Sequence, residues 1–354
     1  SYAYTSRSNL VAVVSDGSAV LGLGNLGGLA GMPVMEGKAV LFKEFAGVDA
    51  FPICLTTQNA EEIINIVKNL EPSFGGINLE DISAPRCFEV ERKLKEIMNI
   101  PVFHDDQHGT AVVVNAGLMN ALKLVKKSKE SVKVVLVGSG AAGNSIVNFL
   151  MLNGFKNIVV CDRKGILKKQ NPEYDIFKRE LANSTNPNNE TGLLVDAVKN
   201  ADVFIGVSGA DILKPEMIKN MKENPIIFAL ANPNPEILPD LAKSVGARII
   251  ATGRSDFNNQ INNVLAFPGI FRGALSVRAS KITENMKIAA SMAIASFVDE
   301  KDLSEDFIIP KAYNLDVSPV VAANVAMAAI KDGVARLNKT YDEVVKETED
   351  MIRK

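Results

Sequence analysis

Short apolar runs alternate with helical patterns along most of the 354 residues, and this alternation constrains the fold more than any other feature of the sequence. The β-branched apolar runs are typical of buried strands, and the segments between them repeat apolar residues at helical spacing. Parallel strands need long crossover connections, which helices usually supply. The chain is therefore predicted to be an α/β protein built from parallel βαβ units.

The predicted strands form two groups. In the first third they lie at residues 10–14, 50–55, 76–79 and 102–104, with helices near 36–45, 60–70 and 85–98. In the middle third they lie at residues 132–137, 158–161, 203–207, 226–230 and 248–251. From about residue 263 the strand signals stop, and helices are predicted at 280–298, 319–337 and 340–352.

Composition excludes several classes of partner. The 39 basic and 41 acidic residues give a net charge of −2, so nucleic acid and anionic membranes are not expected as partners. The apolar stretches fall short of the ~20 residues that span a bilayer, and the first residues show no secretory signal. The three cysteines lack CxxC spacing, which predicts reduced thiols in a soluble cytoplasmic protein.

The pattern GxGxxG occurs twice, at residues 22–27 and 138–143, and only its context can decide what each copy does. A dinucleotide loop needs a preceding strand, a following helix, and an acidic residue about 20 positions on. The second copy has all three: a strand at 132–137, a helix at 141–152, and Asp162 after the next strand. The first copy lacks such an acidic residue and is predicted to be a tight backbone turn at a domain crossing, with Pro33 shortly after it.

The second loop predicts a Rossmann-type, doubly wound domain over residues 113–268. Its predicted cofactor-binding residues are Gly138, Ser139, Gly140, Ala141, Ala142 and Gly143. A carboxylate such as Asp162 on the ribose favours NAD, yet Arg163 and Lys164 follow it and could hold the 2′-phosphate of NADP. Both cofactors stay open. A second α/β domain, the catalytic one, is predicted over residues 1–112, completed by the helices within 269–354.

Two acidic pairs follow neighbouring predicted strands. Glu80 and Asp81 come after the strand at 76–79, and Asp105 and Asp106 come after the strand at 102–104. With a helix between them the two strands run parallel, so both pairs lie at one sheet edge, where ligands of α/β proteins bind. Crowded carboxylates repel one another unless a cation joins them. The sequence therefore favours a Mg²⁺ or Mn²⁺ site, although solvated acids or helix caps would explain either pair alone.

The string from His104 to His108 imitates a zinc motif that requires both histidines on one helical face. Because His104 is predicted to end a strand and Gly109 to interrupt any helix at once, no zinc site is expected. Four other residues have a functional and a plain interpretation. Lys38 could be a desolvated base with a lowered pKa or a surface lysine. Asn232 could be a ligand or a turn residue, and the pair Asn262 and Asn263 could be ligands or a helix cap.

Taken together, these residues resemble the malic enzyme family in its shorter prokaryotic form, along essentially the whole chain. The segments that carry the resemblance are residues 11–17, 21–25, 33–38, 78–81, 103–111 and 229–233. The resemblance implies oxidative decarboxylation of L-malate to pyruvate and CO₂ with NAD or NADP and Mg²⁺ or Mn²⁺. It also implies a homodimer or a higher homo-oligomer.

The resemblance implies a role for each matching residue. Glu80, Asp81 and Asp106 would bind the metal, while Lys38 would take the hydroxyl proton of malate with Asp105 in support. Asn232 and Asn263 would contact the nicotinamide side and the substrate, and Asn262 adjoins Asn263.

The sequence departs from the family pattern at two places. The family's general acid is a tyrosine in a Tyr-Thr-Pro-Gly segment, which these residues do not contain, so we expect a helical portion upstream of Ser1. The longer members carry a substrate-binding arginine at the position of Ala19 in this chain. The shorter members lack this arginine, as this chain does. Two alternatives therefore remain: a 2-hydroxy acid dehydrogenase that does not decarboxylate, and a non-catalytic NAD-binding module.

Overall fold

The computed structural model describes residues 1–20 and 22–353 of the chain. Leu21, the first residue of the segment 21–25 noted above, lies outside the described residues. The chain divides into two compact units. Unit 1 comprises Ser1–Val112, Asn263–Ile294 and Tyr313–Lys354, and unit 2 comprises Val113–Asn262 and Ala295–Ala312.

Unit 1 contains a four-stranded sheet and most of the long helices. Its strands are β1 (Leu10–Ser15), β2 (Asp49–Cys54), β3 (Gly76–Leu79) and β4 (Val102–His104). Its helices are α1 (Gly27–Ala46), α2 (Ala60–Leu70), α3 (Arg86–Ile97) and the first part of α4 (Asp105–Leu124). Later in the chain, α10 (Phe267–Ser276), α11 (Glu284–Ser296), α12 (Val317–Lys331) and α13 (Tyr341–Ile352) follow. Two short 3₁₀ helices lie at Ser6–Asn9 and Asn263–Leu265.

All four strands of unit 1 are parallel, in the order β2-β1-β3-β4. The sequence placed each of them to within one residue, because β1, β3 and β4 are buried along most of their length and so form nearly continuous apolar runs. Parallel pairing puts the carboxyl ends of β1, β3 and β4 at one edge of the sheet, and the loops that follow them carry the residues discussed below.

Helix α1 corrects the prediction for the first glycine segment. The helix begins at Gly27, nine residues before its predicted start, and Pro33 lies inside it. Close packing explains why glycine is needed here: a Cβ on Gly28 would overlap Leu55 O, and one on Gly17 would overlap Gly27 O. These glycines let the first turn of a helix approach the loops after β1 and β2. A tight turn does precede the helix, where the Gly24 N–H donates to Val20 O and the Val20 N–H donates to Gly24 O, both at 2.9 Å. The turn lies within unit 1, so the prediction of a turn is confirmed and that of a domain crossing is wrong.

The late helices of unit 1 pack back onto its early elements, as the sequence predicted. The Phe42 ring of α1 meets Phe267 and Phe271 of α10 edge to face, with centroids 4.7 and 5.3 Å away. Phe271 also meets Phe103 of β4 at 5.8 Å. Aromatic pairs of this geometry add to the free energy gained by burial alone, so helix α10 holds α1 and β4 in one core.

Unit 2 contains a six-stranded sheet with helices between its strands. The strands are β5 (Lys133–Val137), β6 (Asn157–Asp162), β7 (Gly165–Ile166), β8 (Val203–Gly206), β9 (Ile226–Ala229) and β10 (Ile249–Thr252). The helices are α5 (Ala141–Leu152), α6 (Ile176–Ser184), α7 (Leu194–Ala197), α8 (Pro215–Lys219) and α9 (Pro239–Ser244).

The strand order β10-β9-β8-β5-β6-β7 reverses direction at β5, and only the two-residue β7 is antiparallel to its neighbour. Strands β5, β8, β9 and β10 are fully buried. The prediction of a Rossmann-type parallel sheet is thereby confirmed. Dinucleotides bind at the point where such a strand order reverses, outside the carboxyl ends of the strands.

Two segments depart from the predicted division of the chain. Residues 263–268, predicted to end the Rossmann-type domain, cluster with unit 1. Residues 295–312, assigned above to the helices that complete the first domain, cluster with unit 2. Their backbone is held by two asparagines of that unit. The Asn120 amide donates to Ala295 O and Ile308 O at 2.9 and 3.0 Å, and Asn259 donates to Glu305 O at 2.7 Å. No helical pattern could reveal these long-range side-chain bonds.

Among the described helices, none combines the length and the apolar character that crossing a lipid bilayer requires.

Candidate active site

The four carboxylates predicted to converge do lie at neighbouring strand ends. Strands β3 and β4 pair in parallel. Glu80 and Asp81 follow β3 directly, while Asp105 and Asp106 open α4 directly after β4. The amino end of a helix favours negative charge, which helps to hold this second pair. Asp81 adopts a left-handed backbone with φ of 54°, and its N–H donates to Asp106 Oδ2 at 2.8 Å.

Three of these residues form a cluster that could hold a cation. Glu80, Asp81 and Asp106 each offer one carboxylate oxygen, and the three oxygens lie within 4.8 Å of one another. Hard divalent cations such as Mg²⁺ and Mn²⁺ take oxygen ligands of this kind. The all-oxygen donor set and its size fit such an ion, whereas zinc more often takes nitrogen and sulfur ligands.

The cluster is electrostatically unbalanced by itself. Glu80 and Asp81 are buried, and Asp105 is completely buried. Burial raises the pKa of all four carboxyl groups, and the neighbouring carboxylates raise the pKa of Asp81 further. Because folding places these acids where their charged forms are disfavoured, a bound cation would relieve a large electrostatic cost.

Lys38 supplies the positive charge nearest to the cluster. Its Nζ lies 2.9 Å from Glu80 Oε1 and 2.6 Å from Asp105 Oδ2, and 4.1 Å from the centre of the Phe267 ring. It is therefore a buried residue of α1, and the surface alternative is wrong. Burial alone would lower the pKa of Lys38, but the charges of the surrounding carboxylates outweigh burial and raise it. The expected lowering of the Lys38 pKa is therefore wrong.

Asp105 is fixed by contacts on two sides. Its Oδ2 accepts hydrogen bonds from Lys38 Nζ at 2.6 Å and from Asn263 Nδ2 at 2.5 Å. A Cβ on Gly109 would overlap Asp105 Oδ1, so the glycine leaves the space that this side chain occupies. Gly109 lies within α4, and the prediction that it interrupts the helix is wrong for this reason. Asn263 thus lies in the lysine and carboxylate network, as the first residue of a 3₁₀ helix.

The two histidines do not form a metal site in the described part of the chain. His104 ends β4, fully buried, while His108 Nε2 lies 2.8 Å from Glu91 Oε1. Glu91 also accepts the His104 N–H at 3.2 Å and pairs with Lys95 at 2.7 Å. Glu91 thus links the end of β4 to the first turn of α4. The sequence did not point to Glu91, since a glutamate four residues before a lysine is typical of an exposed helix face.

In unit 2 the glycine loop has the shape that a dinucleotide requires. Gly138 has φ of 112°, and a Cβ on it would lie 2.6 Å from Val207 O. Gly140 caps the amino end of α5. A Cβ on Gly143 would overlap Gly138 O, so this glycine lets α5 approach the loop. Ser139, Ala141 and Ala142 complete the turn. The backbone N–H groups that begin a helix form an anion site suited to a pyrophosphate.

Asp162 lies at the end of β6, where the ribose of a dinucleotide would bind. Its carboxylate accepts the Lys164 N–H at 2.7 Å and pairs with Lys178 Nζ at 2.5 Å. Arg163 beside it is exposed. The structure therefore adds Lys178, a residue of α6, which the sequence did not indicate because it lies 16 positions away.

Of the remaining predicted residues, Asn232 lies at the same edge of unit 2. Asn232 follows β9 by three residues and joins Pro233 through a cis peptide bond. A Cβ on Gly253, after β10, would lie 2.7 Å from Asn232 Nδ2, so the glycine makes room for this side chain. Asn262 is partly exposed and ends the main segment of unit 2, whereas Asn263 belongs to unit 1.

Comparison with known proteins identifies a family. Residues 107–330 match the family described as "Malic enzyme, NAD binding domain", and residues 2–63 and 56–95 match "Malic enzyme, N-terminal domain". The chain is 58% identical over 348 residues to a bifunctional malic/malolactic enzyme of Bacillus subtilis, covering 98% of this chain and 85% of the relative. It is 59% identical over 335 residues to an NAD-dependent malic enzyme of Geobacillus stearothermophilus, covering 95% and 70%.

A solved structure agrees with these relatives. The malic enzyme of Pyrococcus horikoshii superimposes with a TM-score of 0.95 at 50% identity, covering 99% of this chain and 83% of that one.

Proposed function

Since this chain belongs to the malic enzyme family, we propose that it oxidises L-malate to pyruvate and CO₂, with NAD or NADP as hydride acceptor and Mg²⁺ or Mn²⁺ as the required metal. The observation that carries the proposal is the convergence of Glu80, Asp81 and Asp106 within 4.8 Å next to the buried ammonium group of Lys38. This arrangement suits removal of a proton from a hydroxyl group and stabilisation of the negative charge that follows.

Glu80, Asp81 and Asp106 would hold the metal. When bound, a divalent cation acts as a Lewis acid, which favours both oxidation at the hydroxyl carbon and loss of CO₂ from the keto acid. Asn78 Nδ2 donates to Glu80 Oε2 at 2.8 Å, and Asp81 N–H donates to Asp106 Oδ2 at 2.8 Å. These bonds orient the carboxylates before any ligand arrives.

Lys38 would take the hydroxyl proton of malate, and Asp105 would support it. Lys38 Nζ can act as a base only when it is neutral, and its pKa is raised mainly by the charges of Asp105 and Glu80 acting against burial. A cation held by Glu80 would weaken that effect, and Lys38 would then be nearer to its neutral form. Asn263 keeps the Asp105 carboxylate turned toward Lys38.

Unit 2 would hold the dinucleotide. The loop from Gly138 to Gly143 would receive the pyrophosphate, and Asp162 would accept the ribose hydroxyls. NAD is the expected preferred cofactor, because the Asp162 carboxylate repels a 2′-phosphate. The ion pair with Lys178 reduces that repulsion, and the exposed Arg163 adjoins Asp162, so measurable use of NADP is also expected.

We expect a homodimer or a larger homo-oligomer. Unit 1 exposes several apolar side chains on α1 and on the edge strand β2, among them Leu29, Val40 and Phe51, which are 92%, 63% and 58% exposed. Light scattering coupled to size exclusion measures the molar mass directly.

The three free cysteines fit a reducing cytoplasmic compartment.

An assay of the protein with L-malate tests the proposal. The reaction is run with NAD and with NADP, each with Mn²⁺ and with a chelator, while reduced cofactor, CO₂ and organic acid products are measured. We expect equal amounts of pyruvate, CO₂ and reduced cofactor, only when Mn²⁺ is present.

Each alternative gives a different result in this assay. Oxaloacetate without CO₂ would indicate a dehydrogenase that does not decarboxylate. Lactate and CO₂ without net cofactor reduction would indicate the second activity in the name of the Bacillus subtilis relative. No product from malate, in a protein that binds NADH in a separate fluorescence titration, would indicate a non-catalytic module and would overturn the proposal.

A further inference from the structure

Glu236 is a buried acid in unit 2 whose role the site described above does not explain. It lies in the loop after β9 and is completely shielded from solvent. A charged carboxylate loses its hydration in such a place, and burial accordingly raises the pKa of Glu236. Within the described residues no lysine, arginine or histidine forms an ion pair with it, so its environment differs from that of the paired acids in unit 1.

The partners of the Glu236 carboxylate are main-chain donors from two different loops. Oε1 accepts the Ser208 N–H at 3.0 Å, and Oε2 accepts the Ala231 N–H at 3.1 Å. Ser208 lies in the loop after β8, and Ala231 lies in the loop after β9. Since β8 and β9 are neighbouring parallel strands, one carboxylate bridges two adjacent loops at the carboxyl edge of the sheet.

The fold leaves room for this bridge. A Cβ on Gly206, the last residue of β8, would overlap the Glu236 carboxyl group, so only glycine lets the side chain cross above the strand. The backbone of Glu236 takes part as well, because its carbonyl accepts the Leu213 N–H at 3.0 Å. Both ends of the loop after β8 are therefore tied to this single residue.

The bridged loops belong to one half of the predicted dinucleotide site. The glycine loop follows β5, and Asp162, which would take the adenosine ribose, follows β6. Strands β8 and β9 lie on the other side of β5 in the sheet. A dinucleotide whose pyrophosphate lies at the glycine loop extends its adenosine half toward β6 and its nicotinamide half toward β8 and β9.

We propose that Glu236 is a positioning residue for the nicotinamide half of the cofactor. By fixing the Ser208 and Ala231 backbones, it holds the loop after β8 and the Asn232 side chain in the positions they need at this edge. It does not touch the cofactor itself. The inference rests on the proposed function, since it assumes that unit 2 binds NAD or NADP.

The test compares two ligands that share the adenosine half. NADH contains the nicotinamide ring and ADP-ribose lacks it. Their dissociation constants are measured with the full protein, NADH by fluorescence titration and ADP-ribose by competition. In Glu236→Gln the amide nitrogen faces one main-chain N–H, which loses its acceptor. The loop that this N–H belongs to then leaves the position that the nicotinamide half needs, and restoring that position on binding should weaken NADH binding about 10-fold.

We expect Glu236→Gln to raise the dissociation constant of NADH about 10-fold while that of ADP-ribose stays within about twofold. Glu216→Gln, an exposed acid on α8 of the same unit, is the matched control and should change neither constant. A Gly206→Ala variant displaces the Glu236 side chain without altering its charge, and it should show the same selective loss. It serves as the test if Glu236→Gln does not fold.

A loss shared equally by NADH and ADP-ribose would show that Glu236 only stabilises unit 2, and unchanged constants for both would show that the bridge is dispensable. Either result overturns the inference while leaving the proposed function intact. Failure of the unsubstituted protein to bind NADH would instead overturn the cofactor assignment on which the inference rests.

Discussion

The acidic cluster of unit 1 and the glycine loop of unit 2 lie at the same kind of place, the carboxyl edge of a parallel sheet, but they are built in opposite ways. The acidic cluster and its neighbours concentrate buried charge. Glu80 and Asp81 of the cluster are buried, and so are the adjoining Lys38 and Asp105. The loop works by the absence of side chains, and main-chain groups provide its contacts. The first site should therefore be sensitive to changes of charge at constant size, and the second to changes of size at constant charge.

The largest effect is expected from a change of charge in unit 1. Asp106→Asn removes one of three candidate metal ligands without changing the size of the side chain, and should lower kcat with malate by at least about 10³-fold. The dissociation constant of NADH should stay within about twofold, because unit 2 is unaltered. Asp342→Asn, on the exposed side of α13, is the control. Turnover near that of the unsubstituted protein would refute the metal assignment.

A change of size in unit 2 should have the next largest effect. The Cβ of Gly143→Ala would overlap Gly138 O, and the resulting distortion of the loop should weaken NADH binding by roughly 10- to 100-fold. Mn²⁺ binding, measured by electron paramagnetic resonance, should not change.

Gly140→Ala provides the contrast within the same loop. Its Cβ meets no protein atom within 4 Å, so the melting temperature should be unchanged, while NADH binding still weakens because the backbone must approach the pyrophosphate. A Gly143→Ala protein that melts and binds NADH like the original would contradict the steric account.

Cofactor choice should respond more weakly to charge. Lys178→Gln removes the partner of Asp162 and exposes its carboxylate to a 2′-phosphate, so the ratio of kcat/KM for NAD to that for NADP should rise about fivefold, the range of a partly exposed ion pair. Lys219→Gln, exposed on α8, is the control. A ratio that falls would show that Lys178 does not offset Asp162.

The smallest predicted effect concerns stability. In the chelated protein, Asp81→Asn relieves repulsion among three carboxylates, and asparagine accepts the left-handed backbone at this position. Its free energy of unfolding should increase by about 1 kcal/mol, or roughly 2–4 °C in melting temperature. With saturating Mn²⁺ the variant should be less stable than the unsubstituted protein, because it has lost a metal ligand. If the same protein were the more stable one both with chelator and with Mn²⁺, the cluster would carry no unbalanced charge.

The part of the site that could be predicted from the sequence differs between the two units. The glycine loop could be predicted nearly whole, because strand, loop, helix and Asp162 are consecutive along 30 residues and depend on local geometry. The acidic cluster could be predicted only as a convergence of strand ends. Lys38, Asn263 and Glu91 come from other helices, and nothing in the spacing of these residues relates Lys38 to Asp105, 67 positions later.

The errors have the same cause. The start of α1 was placed too late because glycine and proline usually interrupt helices. Here Gly28 is required by the nearby Leu55 carbonyl. Local preference also predicts that Gly109 interrupts a helix, although it makes room for the Asp105 side chain within α4. In both places a long-range or side-chain contact outweighs local preference, and such contacts are invisible in a single sequence.

Apolar periodicity and turn residues along the chain determined the class of fold, the strands, and the loop that suits a pyrophosphate, because each depends on neighbours a few residues away. Only the tertiary structure decided that Lys38 is buried among carboxylates, that its pKa is raised, and that Glu236 crosses Gly206 to join two loops. Charge–charge energies and burial depend on distances through space, and folding alone sets those distances.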